Sequence, residues 1–220
     1  MIKLSKRLVT LFNMVEGSEV VADIGCDHAL LSIALIQHKK CKKVYACDVN
    51  EGPLQRAKNA IISAHLEDYI TPVLSNGLKE IQDDTDTVVI AGMGWETIVS
   101  ILMNDFDKAK SMKRIIIQSN THVDELRRWI SDNGFKIDKE CIVKDSHFYQ
   151  ILSIHYETEK LNEDQILFGK CIVPNEVFKE YWQHILSKKQ RIMQHIPKDS
   201  TMYLETKMFI DKIKNKLLNL

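Results

Sequence analysis

Apolar residues recur along this chain in two rhythms that alternate. Leu4, Leu8, Leu11, Phe12 and Val15 fall at helical spacing with Ser5, Lys6 and Arg7 on the outer side, and Glu16-Gly17 ends the pattern. Short apolar strands follow at 20–24, 44–47, 70–74, 87–91 and 114–118, separated by helices at 29–38, 52–64, 96–103 and 123–132. Two longer stretches, 135–144 and 149–156, alternate apolar and polar positions across a few polar residues and predict an antiparallel pair. Strands that alternate with helices and end in such a pair predict an α/β domain on a mostly parallel sheet.

After Thr158 the alternation stops, and 161–173 reads as a connector. Phe178, Trp182, Ile185, Ile192 and Ile196 then recur at helical spacing. Pro197-Lys198-Asp199 breaks the run, and Met202, Phe209, Ile213, Leu217 and Leu220 form a second stripe. This is the pattern of an antiparallel helical hairpin or short coiled coil. The sequence thus predicts a first domain over 1–158 and a C-terminal helical domain over 159–220.

Composition narrows the class. The chain has 220 residues, 45% of them hydrophobic and 27% charged, which excludes disorder and fibrous structure. Thirty basic residues balance thirty acidic ones, yet 179–220 carries nine Lys or Arg against four Asp or Glu, a local excess of +5. A basic end on a neutral chain predicts a local electrostatic contact. Five cysteines without a C-x-x-C pair argue against a disulfide framework or structural zinc. With no signal-like start and no long apolar window, the expectation is a cytoplasmic protein.

The candidate chemistry sits at strand ends. The first strand runs into Asp23-Ile24-Gly25-Cys26-Asp27-His28, then a helix, which is how an open α/β sheet builds a nucleotide-type ligand site. Asp48 ends the second strand, where two carboxylate oxygens can take a ribose diol; the bland reading is a helix cap. The first loop lacks the second and third glycines of a dinucleotide fingerprint and has Asp27 at the second position. A carboxylate facing a pyrophosphate is unfavourable, whereas beside a sulfonium and an α-amino group it is favourable. The loop therefore prefers S-adenosylmethionine to a nicotinamide cofactor.

Later segments converge on the same pocket. Asn76-Gly77 either reads an adenine amino group or is a simple turn. Ala91-Gly92-Met93-Gly94 lets the backbone approach a ligand closely. Gln118-Ser119-Asn120 either holds a substrate base with its amides or caps the next helix, and Trp95 is either a stacking platform or core. Asp23, Asp27 and His28 superficially resemble a metal cluster, but adjacent Asp and His point apart and no partner spacing exists, so no metal is expected.

Together these residues resemble the bacterial tRNA (adenine-22-N1)-methyltransferases. The resemblance lies in Leu4-Ser5-Lys6-Arg7-Leu8, Ala22-Asp23-Ile24-Gly25-Cys26-Asp27-His28-Ala29, the segment 48–53, Asn76-Gly77-Leu78, Ile90-Ala91-Gly92-Met93-Gly94 and Gln118-Ser119-Asn120, and spans nearly the whole chain. Trp95 stands where the family often has glycine, and Ser119 where it often has proline. The resemblance implies a Rossmann-like methyltransferase domain with a seven-stranded sheet and a coiled-coil tail. It implies methyl transfer from S-adenosylmethionine to N1 of an adenine in the D-loop region of tRNA. The cofactor residues would be Asp23, Gly25, Cys26, Asp27, His28, Asp48, Val49, Asn76, Gly77, Ala91, Gly92 and Met93. Asp27, His28 and Asn120 are the candidates to bind the adenine edge or shape its approach, none as a general base. Arg7, Arg127, Arg128, Lys188, Lys189, Arg191, Lys198 and Lys207 are the candidate phosphate contacts, against the alternative of a solvated helix face. A monomer is favoured. The competing class is a small-molecule methyltransferase with the same cofactor site, in which the tail is a lid or dimer element.

Overall fold

The computed structural model describes residues 3–220. Its strands are β1 (Val20–Ile24), β2 (Lys43–Asp48), β3 (Ile70–Leu74), β4 (Thr87–Met93), β5 (Arg114–Ser119), β6 (Phe135–Lys144) and β7 (Phe148–Tyr156). They form one seven-stranded sheet in the order β3-β2-β1-β4-β5-β7-β6, in which only β7 runs antiparallel to its neighbours. Both the five-strand alternation and the terminal pair are as the hydrophobic pattern predicts.

The central strands read as continuous apolar runs because each face of the sheet is covered. Alternate residues go to opposite sides: Val21, Val89 and Ile116 join one buried cluster, whereas Ala22, Val88, Ile90, Ile115 and Ile117 join the other. Helices α1 (Lys6–Met14), α2 (Leu30–Gln37) and α3 (Glu51–Ser63) bury Leu11, Leu31, Ile33, Leu35, Ala57 and Ile61 in the first cluster. Helices α4 (Trp95–Asn104), α5 (Phe106–Ser111) and α6 (Val123–Asp132) bury Ile98, Leu102, Ala109, Leu126 and Ile130 in the second. Truncating one of these fully buried residues, as in Ile116→Ala, costs about 2–5 kcal/mol.

From β1 the chain moves outward through β2 to β3, then returns to β4 on the other side of β1. The strand order therefore reverses between β1 and β4, and the loops after those two strands diverge to leave a crevice.

Two compact units divide the chain after Ile172, fourteen residues beyond the boundary expected from the sequence. The stretch 159–172 belongs to the first unit because it is fastened there. It contains α7 (Glu163–Phe168), opened by an Asn162/Gln165 capping box, where the sequence reads as a connector. The Ile166 carbonyl accepts from the Arg127 guanidinium at 3.1 Å, Cys171 N–H donates to Glu140 at 3.0 Å, and Ser131 Oγ accepts from Leu161 N–H at 2.9 Å. The short α5 also escapes the hydrophobic pattern, since one turn and a half buries a single residue, Ala109.

The second unit, Val173–Leu220, is a helical hairpin. Helices α8 (Glu176–Met193) and α9 (Thr201–Leu218) are capped by Asn175 and Ser200, and bury Phe178, Trp182, Ile210 and Ile213. Among the described residues no helix is long and apolar enough to cross a membrane.

Candidate active site

The β1–α2 loop carries the most unusual backbone of the chain. Gly25 has φ +76°, a left-handed conformation that strains any residue with a side chain, and a Cβ there would also force the Met93 methyl aside. Its N–H and that of Cys26 both donate to the Cys47 carbonyl, at 2.8 and 3.0 Å, which ties the loop to the end of β2. Asp27 and Ala29 follow with φ +43° and +52°, left-handed conformations that cost a non-glycine residue roughly 1–2 kcal/mol each. Such strain persists where the surrounding structure enforces it, which is typical of ligand loops.

That loop floors a cleft of about 640 Å³ at the reversal of strand order. Gly25, Asp27, Asp48, Val49, Asn76, Gly77 and Met93 line it, so seven of the twelve expected cofactor residues meet in one cavity. Asp48 is 8% exposed, and Asn50 N–H holds its Oδ1 at 3.0 Å. Among the described residues Oδ2 accepts no hydrogen bond, which leaves it to a ligand. Val49 lies 58% exposed beside it, an apolar surface on the cleft wall. Ser75 N–H donates to the Asp48 carbonyl and fixes the β3 end against β2.

The opposite wall was missed by sequence reasoning. Thr97, Ser100, Ile101 and Asn104 line the cleft from α4. Their i, i+3, i+4, i+7 spacing was the available signal, but polar residues at that spacing read as a solvated face.

A second cavity of about 140 Å³ adjoins the first through Gly25 and Asp27. Asp23, Cys26, His28 and Ala91 line it, joined by Arg7 from α1. Asp23 is buried, so loss of water pushes its carboxyl up to about 6, partly offset by the Ser32 hydroxyl donating at 2.6 Å. The Cys26 thiol is pushed up mainly by burial and stays protonated, so it is neither nucleophile nor metal ligand. Among the described residues no group of three acidic, Cys or His side chains has metal-site geometry.

The remaining candidates are placed as follows. Gly92 and Asn120 lie at the adjacent ends of β4 and β5. Arg7 Nη1 donates to Gln118 Oε1 at 2.8 Å, Gln118 Nε2 to Asn120 Oδ1 at 2.9 Å, and Asn120 Nδ2 to the Gly92 carbonyl at 2.8 Å. Arg7 also lies over the Tyr149 ring, 5.4 Å from its centre. Arg7 thus lies at the site itself, on the wall of the smaller cavity. The Asp27 carboxylate is held by Arg56 at 2.6 Å and lies 3.6 Å from His28, so its charge is shared rather than presented bare. Trp95 is half-buried and packs one side against the core.

Arg127 must be withdrawn as a phosphate contact: it is 1% exposed, and its guanidinium is spent on Glu140 and Gln150 at 2.6 Å each. Arg128 is half exposed and paired with Glu163 at 2.8 Å. Lys189 is half-buried over the Phe209 ring at 5.1 Å, whereas Lys188 and Arg191 are exposed on α8.

A sheet of this order, with a glycine-floored cleft at its switch point and a carboxylate closing β2, defines a class I methyltransferase. Residues 21–218 match the tRNA (adenine(22)-N(1))-methyltransferase family, and the chain belongs to it. The Bacillus subtilis (strain 168) tRNA (adenine(22)-N(1))-methyltransferase is 30% identical over 205 residues, covering 89% of this chain and 86% of that protein. The structure of Mycoplasma capricolum TrmK in complex with S-adenosyl-homocysteine, named there the natural cofactor product, superposes with TM-score 0.87 and 35% identity, covering 97% of each chain. A Streptococcus agalactiae protein of the NADB-Rossmann superfamily superposes with TM-score 0.91 and 34% identity, covering 98% of each.

Proposed function

We infer that this chain transfers the methyl group of S-adenosylmethionine to N1 of adenine 22 in tRNA. The observation that carries the reading is the pair of joined cavities at the switch point, whose lining offers groups suited to each part of the cofactor. Asp48 offers an unfilled carboxylate oxygen to a ribose diol, Val49 an apolar surface to an adenine face, and Asn76 an amide to the adenine edge. In the small cavity Asp23 and Arg7 set a carboxylate and a guanidinium opposite the two ends of an amino-acid zwitterion.

Bound there, the cofactor supplies an electrophilic methyl carbon whose bonding pair returns to sulfur as the new bond forms. N1 of adenine carries its own lone pair, so no side chain need remove a proton before attack. The protein's task is then to hold N1 in line and keep water out, which is catalysis by positioning. Neither Asp27, engaged by Arg56, nor His28 is needed as a base.

Exposed Lys188 and Arg191 give α8 a basic strip for tRNA phosphates, with Lys198 and Lys207 extending the charge of the hairpin. The protein acts as a cytoplasmic monomer in this reading. Incubating unmodified tRNA with the protein and cofactor, then mapping methylated nucleosides by mass, tests it. One 1-methyladenosine at position 22 is expected; methylation elsewhere, or of small molecules only, would overturn it.

A further inference from the structure

Gly92 interrupts the β4–β5 ladder. The register shifts between Ala91 and Met93, and Gly92 takes φ +83° at that bulge. A bulge beside a cleft re-aims backbone groups, and here it turns the Gly92 carbonyl out of the ladder toward Asn120.

The relay from Arg7 fixes which way each amide points. A guanidinium only donates, so Gln118 must accept with its oxygen and donate with its nitrogen. Asn120 must in turn accept with Oδ1, and its Nδ2 therefore faces the Gly92 carbonyl. Gln118 is fully buried, which locks the middle of the relay. What reaches the surface is a fixed pair 2.8 Å apart: a carbonyl with one lone pair to spare and an amide nitrogen with one N–H to spare. Both residues are exposed, and their neighbours Ala91 and Met93 line the two cavities on either side.

We propose that Gly92 and Asn120 read the Hoogsteen edge of the target adenine. The Gly92 carbonyl accepts from the N6 amino group, and Asn120 Nδ2 donates to N7. N1 is the nucleophile and must carry no protein hydrogen bond, so recognition of the base falls to its other edge. An acceptor beside a donor is the complement of N6–H beside N7. The geometry also favours the reaction itself. As N1 bonds to the methyl carbon, positive charge spreads to N6 and makes its N–H a stronger donor. A carbonyl held in place beforehand then stabilises the transition state more than the ground state. Gln118 and Arg7 are positioning residues, acting through Asn120. The proposal rests on the N1-methylation reading above and specifies how that site selects adenine.

The test uses tRNA bearing adenosine, 7-deazaadenosine or purine riboside at position 22, with the wild-type chain, Asn120→Ala and Gln118→Leu. Each penalty is a ratio of kcat/KM measured on one protein, so a reduced folded fraction cancels. The wild type should lose about tenfold on 7-deazaadenosine, the size of one neutral hydrogen bond. In Asn120→Ala that penalty should shrink to under about twofold. Gln118→Leu should lower kcat on adenosine while leaving KM for tRNA unchanged, and should narrow the adenosine-to-purine ratio in kcat. An equal 7-deaza penalty in the wild type and Asn120→Ala, or none in the wild type, overturns the proposal. Failure of the wild type to methylate the adenosine tRNA removes the functional reading itself and this inference with it.

Discussion

Arg56 on α3 grips Asp27 in the β1–α2 loop, Nη2 to Oδ1 at 2.6 Å and Nε to the same oxygen at 3.1 Å, so two walls of the larger cleft are pinned to each other. Both side chains are about half exposed, 49% and 54%, so the pair contributes at most about 1 kcal/mol to folding. Its effect should be on ligand binding, because Asp27 sits in a left-handed conformation that the pair helps to hold. Arg56→Ala should move the melting temperature by less than about 3 °C. Cofactor affinity, read by calorimetry, should fall roughly three- to tenfold, the size of one weakened hydrogen bond. Unchanged affinity would show that the loop keeps its shape without Arg56.

Asp48 should be the residue on which cofactor binding depends most. Its Oδ1 is oriented by Asn50, and in the proposed binding mode its Oδ2 is the acceptor for a ribose hydroxyl. A hydrogen bond to a charged group contributes about 1.5–3 kcal/mol, so Asp48→Ala should weaken cofactor binding by roughly ten- to a hundredfold. Asp48→Asn, which keeps one acceptor but no charge, should fall between. Titration calorimetry separates the three proteins, and an Asp48→Asn protein as weak as Asp48→Ala would mean that charge rather than shape decides.

The pattern of apolar runs made the strand ends legible, and with them Gly25, Asp48, Asn76 and Gly92, because a strand-end carboxylate or glycine stands out against a buried run. What stayed hidden has a physical cause in each case. Thr97, Ser100 and Asn104 line a ligand cleft, yet an unfilled polar cleft and open solvent impose the same helical pattern. Arg127 looks like a phosphate contact in the sequence because its partner is concealed by a register shift. Phe135 and Ile137 face inward in β6, and simple alternation puts Glu140 outside. The irregularity between Ile137 and Lys139 reverses the phase and turns Glu140 into the core beside Arg127. The Asp27–Arg56 and Arg7–Gln118 contacts join residues 29 and 111 positions apart, a separation that no local pattern encodes.

Asp23 should make the unliganded protein less stable as pH rises. Burial raises its carboxyl from 3.8 to about 6, so the folded state holds a proton that the unfolded chain has released. Stability from this group is fully present below about pH 4, declines between about 4 and 6, and is gone above. Two pKa units correspond to about 3 kcal/mol. Asp23→Asn should therefore be more stable than the wild type by up to about 3 kcal/mol at pH 7, and the advantage should vanish near pH 4. Urea melts of both proteins at pH 4, 5, 6 and 7 give the difference directly, and an advantage independent of pH would remove the titration as its cause.

The hairpin should bind RNA by charge alone. Lys188 and Arg191 are exposed and lie three residues apart on α8, hence on one face. Replacing both with Ala should weaken tRNA binding and lower the slope of log affinity against log salt by about one unit per lost phosphate contact. Cofactor affinity should not change. A salt slope equal to that of the wild type would place the phosphate contacts elsewhere.

Arg127 offers the sharpest separation of a structural from an RNA-binding role. Its guanidinium reaches Glu140, Gln150 and the Ile166 carbonyl, and the other Glu140 oxygen accepts from Cys171 N–H. The ion pair thus fastens the 159–172 stretch to the sheet domain. Arg127→Ala leaves a buried carboxylate without its cation and should cost about 3–5 kcal/mol. Converting both partners, Arg127→Met with Glu140→Gln, removes the stranded charge and should recover more than half of that loss. Because neither side chain reaches solvent, the double variant should bind tRNA with wild-type affinity and salt dependence. Denaturant melts and salt-dependent tRNA binding on both variants check the two halves. A reduced salt slope in the folded double variant would return Arg127 to the RNA surface and contradict its burial.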